Sequence, residues 1–435
     1  MIGLIDAIRE RQEYPGKPFM LYKGQELSFN DVLNAESVGL DSVKPGDVVG
    51  LVGDFDPLSI KTLLHLFDRR AVVVPLSPET EAQHEYFCQA AKIQYIVTGE
   101  NVKVLSRPQI EHPLLEGLRS EDAAGLVLFS SGTTGRPKAI LHDFRNFQKR
   151  FHTPRPALRT LNFLLFDHIG GLNTLFHTLF NNGMVIVPEE RSPASVVSDI
   201  VLNKIELLPT TPTFLRMVLI SGLLETEDLS SLRIITYGTE RMDQPTLDRL
   251  CRALPNVDFR QTFGMSELGI LRVKSKGRDS LWMKVGGEGV TLRCDERNVL
   301  HIKTETPMLG YMNAPNPFDE DGWYNTRDIV ETDGDFIKVV ARDSDVINVG
   351  GLKILPSEVE RIALMHPKVA FAKAYGRENP LTGQHIECIV QQIENSDLNK
   401  PEIRAHFSEN LPVQLRPRKI KLDNIGVNHR FKKSS

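Results

Sequence analysis

Cysteine is scarce in this chain. Four residues, at 88, 251, 294 and 388, are spread over 435 positions with no Cys-x-x-Cys pair and no regular spacing. That excludes a zinc ribbon and a disulfide framework, and it suits a reducing, cytoplasmic compartment. An excess of one charge is lacking too: 52 Lys and Arg face 56 Asp and Glu, a net charge of −4. No polyanionic partner such as nucleic acid is expected from that balance. Uncharged apolar runs long enough to cross a bilayer are also missing, so no membrane role is expected. The opening "MIGLIDAIRERQ" carries an acid inside its apolar stretch and reads as an amphipathic helix, not a signal peptide. Internal repeats and low-complexity tracts are absent.

What is present is an ordinary globular composition, 41% hydrophobic and 25% charged. At this length two or three structural units are expected. Short β-rich apolar runs recur, among them "GDVVGLVGD" (46–54), "RAVVVPL" (70–76), "AAGLVLF" (123–129), "LNFLLFD" (161–167), "LRIITYG" (232–238) and "VDFRQTFG" (257–264). Helix-like stretches lie between many of them, such as "DPLSIKTLLHLFDRR" (56–70) and "QPTLDRLCRAL" (244–254). The alternation predicts an α/β protein whose large N-terminal domain, 1–342, consists of helix-covered sheets. After about residue 340 the pattern changes to a small α+β unit, 343–435. It opens with a helix at "PSEVERIALMH", where Ser357 and Glu360 stand at capping-box spacing.

One string asks for chemistry. "FSSGTTGRPKAI" (129–140) follows an apolar strand. A Walker loop requires Gly, four residues, then Gly-Lys-Ser/Thr, and here Pro137 and Ala139 fill two of the required places. What remains is a flexible phosphate loop. Ser130, Ser131, Thr133 and Thr134 offer donors, Gly132 and Gly135 permit close backbone approach, and Lys138 adds a mobile charge. An ordinary Gly/Ser/Thr turn is the plainer alternative for the string alone.

"SSGTTGRPKA" resembles the phosphate loop of the acyl-adenylate-forming superfamily, which includes acyl- and aryl-CoA synthetases, peptide-synthetase adenylation domains and luciferases. Three further segments match in the family's order. "TFGMSE" (262–267) is similar to the Tyr-Gly-Met-Thr-Glu block. "GYMNAPNPFDEDGWYNTRDIVETDGDFIKVVAR" (310–342) resembles the stretch containing Tyr-x-Thr-Gly-Asp, with Arg327 in place of the glycine. "DVINVGGLKILPSEVE" (345–360) resembles the opening of a mobile C-terminal domain.

The resemblance implies ATP, Mg²⁺ and a small carboxylic acid, with coenzyme A or a carrier-protein phosphopantetheine as acyl acceptor. It implies Glu267 as magnesium ligand, Ser266 on the α-phosphate and Phe263 against adenine. Asp328 would hold the ribose hydroxyls with Arg342 beside it. Tyr237, Gly238, Thr239 and Glu240 would wall the adenine and acyl site together with Gly264. Lys432 falls on the family's final catalytic lysine, with Phe431 replacing the preceding glycine. "FDHIGG" (166–171) would border the thiol tunnel through His168 and Gly170, while Asp167 could instead meet a substrate ammonium. Gly350 and Gly351 would line the thiol path after rotation about Ser344. Two alternatives stay open: an amino-acid adenylation enzyme loading a carrier protein, and a catalytically silent binder of nucleotide or acyl-adenylate.

Overall fold

The computed structural model describes residues 3–12, 14, 16–34, 38–105, 111–130 and 136–433. Several of its helices begin where the sequence supplies an acceptor followed within two residues by proline. Asp56, Ser192, Thr211 and Asp243 each accept a backbone N–H at the start of Pro57–Asp68, Pro193–Asn203, Pro212–Ile220 and Gln244–Ala253. The acceptor satisfies one orphan donor of the first turn, and proline needs none there.

Two sheets, one mainly parallel and one mixed, build much of the large N-terminal region. The first runs Asp258–Gln261, Ile234–Tyr237, Leu207–Thr210, Arg159–Leu161, Met184–Ile186, Pro18–Tyr22, Gln25–Ser28. The second runs Gly310–Tyr311, Ala139–Asp143, Gly125–Phe129, Val72–Leu76, Val48–Val52, Tyr95–Thr98, Asn101–Val104. Helices Pro57–Asp68 and Ile169–Phe180 lie between them and share one core with both. Side-chain alternation divides the strands between layers. Val49, Leu51 and Val73 face that central core, while Val48, Val72 and Val74 face an outer one with Phe87, Leu115 and Leu118. The outer face of the first sheet packs on helices Pro193–Asn203, Pro212–Ile220 and Gln244–Ala253.

A third, antiparallel sheet collects strands from Phe263–Met265 to Phe336–Arg342 around its own core. The apolar runs had not announced it, because its strands alternate buried and exposed residues, as in Gly269–Ser275. "VDFRQTFG" divides at Thr262, giving Asp258–Gln261 to the first sheet and Phe263–Met265 to the third. "LNFLLFD" is a strand only to Leu161; Asn162 to Asp167 form a buried loop, and Arg191 satisfies the Phe163 carbonyl at 2.7 Å.

The smaller C-terminal domain is a five-stranded sheet drawn entirely from residues after 346. Helices Pro356–Met365 and Lys400–Asn410 pack on it around Val359, Ile403 and Phe407. The expected capping box at its first helix does not form. Ser357 Oγ donates to the Val340 carbonyl, and Glu360 accepts from Ala374 N–H, so both side chains are committed to tertiary contacts. Arg216, buried on helix Pro212–Ile220, reaches across and donates to the carbonyls of Val369 (2.9 Å) and Ala370 and to Thr246.

Candidate active site

Gly238 and Thr262 follow the carboxyl ends of parallel strands, where an α/β sheet opens into a crevice. Ile234–Tyr237 and Asp258–Gln261 deliver the turns at Gly238 and Thr262. A Cβ on Gly238 would lie 2.0 Å from Thr262 Oγ1, so only glycine permits this approach. A cleft of about 750 Å³ brings together Thr239, Glu240, Phe263, Gly264, Asp328 and Arg342.

Asp328 and Arg342 face each other on paired strands, with Nε 3.2 Å from Oδ1. Burial raises the Asp328 carboxyl to about 6, against the opposing pull of Arg342. The residue before it, Arg327, holds φ at +60°, the left-handed region that glycine favours. Asn325 Oδ1 supports this bend by accepting Arg327 N–H at 2.8 Å. The backbone course expected of a glycine is therefore kept without one.

Strands Gly125–Phe129 and Ala139–Asp143 pair antiparallel, and the glycine-rich string joins them in sequence. Ser130 N–H donates to the Lys138 carbonyl, and Lys138 N–H to Ser130 Oγ, both at 3.0 Å. Ser131, Gly132, Thr133, Thr134 and Gly135 lie outside the described residues. Lys138 Nζ stands 4.6 Å from the centre of the Tyr311 ring, and the Tyr311 hydroxyl donates to Glu267 Oε1 at 2.7 Å. Tyr324 adjoins the same carboxylate. Burial and the Glu267 charge hold both phenols above their ordinary range.

His142 fixes the turn that carries Ser266 and Glu267. Burial lowers this imidazole to about 4, so it is neutral and donates from Nε2 to the Ser266 carbonyl at 2.7 Å. Tyr311, Tyr324 and His142 were not identified from sequence. The two tyrosines lie within "GYMNAP" and "GWYNTRD", inside a string already matched.

Lys432 meets the large domain from the chain's last described turn. With His168, Thr239 and Arg430 it lines a small recess next to the cleft. Burial, and then the Arg430 charge, lower its amine to about 8. Phe431 takes φ +54°, again a glycine-like conformation, and its ring packs 4.9 Å from Phe163 and 5.6 Å from Phe214. His168 caps helix Ile169–Phe180 by accepting Gly170 N–H through Nδ1 at 3.0 Å. Burial and the charges of Lys432 and Arg430 keep the ring neutral.

Several expected placements differ. Tyr237 does not wall the cleft: at 1% exposure it belongs to the core under the first sheet, because it shares strand parity with Ile235. Phe263 touches the cleft, but its ring packs mainly in the antiparallel core with Leu271 and Met283. Glu240 uses both oxygens on protein donors, Thr213 Oγ1 at 2.6 Å and Lys433 N–H at 2.9 Å. Asp167 is paired with Arg430 at 2.8 Å. Gly350 and Gly351 form a hairpin tip on the small domain, outside the cleft in this orientation. Ser344 lies in the short turn Asp343–Asp345 that joins the two domains.

A family model described as AMP-binding enzyme matches residues 8–308. The 4-coumarate–CoA ligase 3 of Oryza sativa subsp. japonica is 26% identical over 67% of this chain, which spans only 59% of that protein's length. The sulfoacetate–CoA ligase of Cupriavidus necator is 25% identical over 97% of this chain and 93% of its own. Among solved structures, the anthranilate CoA ligase AuaEII in complex with anthranoyl-AMP superposes with a TM-score of 0.83. It is 20% identical and covers 99% of this chain and 95% of its own, a likeness of fold.

Proposed function

This chain belongs to the AMP-binding enzyme family, and from that premise we propose an ATP-dependent acid–thiol ligase. It activates a small carboxylic acid as acyl-AMP and passes the acyl group to a thiol, coenzyme A in preference to a carrier protein's phosphopantetheine. The relatives named for CoA ligation support that preference. The observation that carries the reading is the convergence of Lys432, His168 and Thr239 at the edge of a cleft that holds Asp328 and Arg342.

In the first step a carboxylate oxygen bonds to the α-phosphorus of ATP, and the bond to pyrophosphate breaks. Both reactants are anions, so positive charge and alignment dominate the barrier. Lys432 supplies charge between the two, Ser266 donates to the α-phosphate, and the loop from Ser130 to Lys138 holds the outer phosphates. Asp328 accepts the ribose hydroxyls. In the second step a thiolate attacks the acyl carbon and AMP departs with the bonding pair. That step requires the small domain to turn about Ser344, bringing Gly350 and Gly351 to the thiol path.

Among the described residues no group of three or more His, Cys, Asp or Glu could hold a metal. The lone carboxylate of Glu267 therefore suits a hard cation that arrives with phosphate and water ligands, as magnesium does. Such a cation would neutralise phosphate charge. The pairing of Asp167 with Arg430 disfavours an amino acid substrate, because the carboxylate already has a cationic partner.

Pyrophosphate release across aliphatic, aromatic, sulfonated and amino acids tests the proposal. Release with one non-amino acid class, followed by CoA thioester formation, is the expected result. Silence with every acid would leave a binder of nucleotide. A second expectation concerns pH. Because burial raises Asp328 to about 6, its carboxylate is lost as pH falls through that value. The affinity for adenosine, which has no phosphate to titrate, should drop about tenfold per pH unit below it. Calorimetry on the wild type and Asp328→Asn decides: the variant should bind weakly and without this slope, and an equal slope in both would remove Asp328 from the ribose site.

A further inference from the structure

The tail from Asn428 to Lys433 is folded into a closed turn. Asn428 N–H donates to the Lys432 carbonyl at 2.9 Å, and Asn428 Oδ1 accepts from the backbone of Arg430 (3.0 Å) and Lys432 (3.1 Å). Three consecutive side chains leave this turn for three destinations. Arg430 reaches Asp167, Phe431 enters the aromatic contact with Phe163 and Phe214, and Lys432 joins the recess beside His168. The Phe431 carbonyl also accepts from Thr211 Oγ1 at 2.7 Å.

Asp167 and Arg430 are 6% and 12% exposed in their side chains, so this is an ion pair largely removed from water. It stands one residue before the His168 cap, at the entrance of a helix buried between two sheets. Removing either partner would leave the other charge buried and alone, a large penalty in such surroundings. The pair is nonetheless joined by one hydrogen bond only, and Asp167 Oδ1 and Arg430 Nε are buried without partners. A single bond joins the pair, so this contact can be broken when the tail must leave.

We propose that Asp167 and Arg430 are positioning residues, a docking pair that seats the tail so that Lys432 reaches the site of acyl-phosphate bond formation. This rests on the ligase reading above. Neither residue touches the reacting atoms. The pair acts through Lys432, two residues from Arg430, and it matters only while the small domain is in the present orientation.

The test uses Asp167→Asn, Arg430→Gln and the double variant of the full chain, with three readouts. Amide hydrogen exchange of residues 425–433 in the ligand-free protein should show lost protection in each variant. Acyl-AMP formation should fall at least about tenfold, the scale of a lost charge-assisted contact. Arg430→Gln should still convert supplied acyl-AMP into thioester at the wild-type rate, a split that general destabilisation would not produce. The double variant should be no slower than the slower single one, since partners in one contact are not additive. Unchanged adenylation, equal loss of both half-reactions, or additive losses would each overturn the pair's role. If Asp167→Asn fails to fold, Arg430→Gln carries the same test from the tail. If the wild type makes no acyl-AMP at all, the ligase reading fails, and tail protection still decides whether the two residues dock the turn.

Discussion

Lys432→Ala is expected to abolish acyl-AMP synthesis while leaving the conversion of supplied acyl-AMP into thioester near normal. The lysine is the cation that the tail brings to the recess shared with His168 and Thr239. Removing a preorganised group that faces developing negative charge costs roughly 10²- to 10³-fold in rate. In the proposed second half-reaction the small domain would be turned away, so that step would have no use for this amine. Lys433→Ala is the control for tail charge. Its Nζ is held within the small domain, 3.2 Å from the Ala372 carbonyl and 3.9 Å from Glu360, contacts that Lys432 does not share. Mass spectrometry of acyl-AMP and thioester separates the two steps. Intact adenylation in Lys432→Ala would take this amine out of the first step, and the tail would then serve only to pack against the large domain.

Glu267→Gln should depress acyl-AMP formation by at least about tenfold, corresponding to a charge-assisted contact of about 1.5–3 kcal/mol. The substitution is nearly isosteric, and a glutamine oxygen can still accept from Tyr311, so the turn held by His142 should persist. What disappears is the negative charge at the hydroxyl of Tyr311, whose ring also meets Lys138. The variant should need a higher concentration of divalent cation for half-maximal rate. Titrating magnesium against initial rates of pyrophosphate release provides the check. A wild-type rate with a wild-type metal requirement would take Glu267 out of the metal site.

Much of this site was legible because its chemistry is written in contiguous strings at strand ends. The loop from Ser130, the turn at Gly238, "TFGMSE" and the strand bearing Asp328 each declare themselves within a dozen residues. Partners distant in the chain were not legible. Tyr311 and Glu267 are 44 residues apart, and Asp167 and Arg430 are 263 apart; only the packing of separate sheets and domains brings them together. Tyr237 was misplaced for a different reason. A strand presents alternate residues to opposite faces, and the string "ITYG" does not say which face is covered by helices. Arg327 and Phe431 stand where the family has glycine, and both residues adopt the left-handed conformation. Neighbouring contacts, Asn325 for one and the Phe163–Phe214 pair for the other, hold these conformations in place.

The buried guanidinium of Arg216 bears on how the two half-reactions alternate in time. Its donors are met by two carbonyls of the small domain and by Thr246, in a place that water does not reach. A gradual swing of that domain would strand these donors before any new acceptor arrived. Each stranded donor raises the path by about 1–3 kcal/mol. If the small domain turns as proposed, its orientations would be separate wells with measurable dwell times, each 1.4 kcal/mol of barrier lengthening the wait about tenfold. A ligase of the proposed kind would then work as a clock with two settings, not as a hinge in continuous motion.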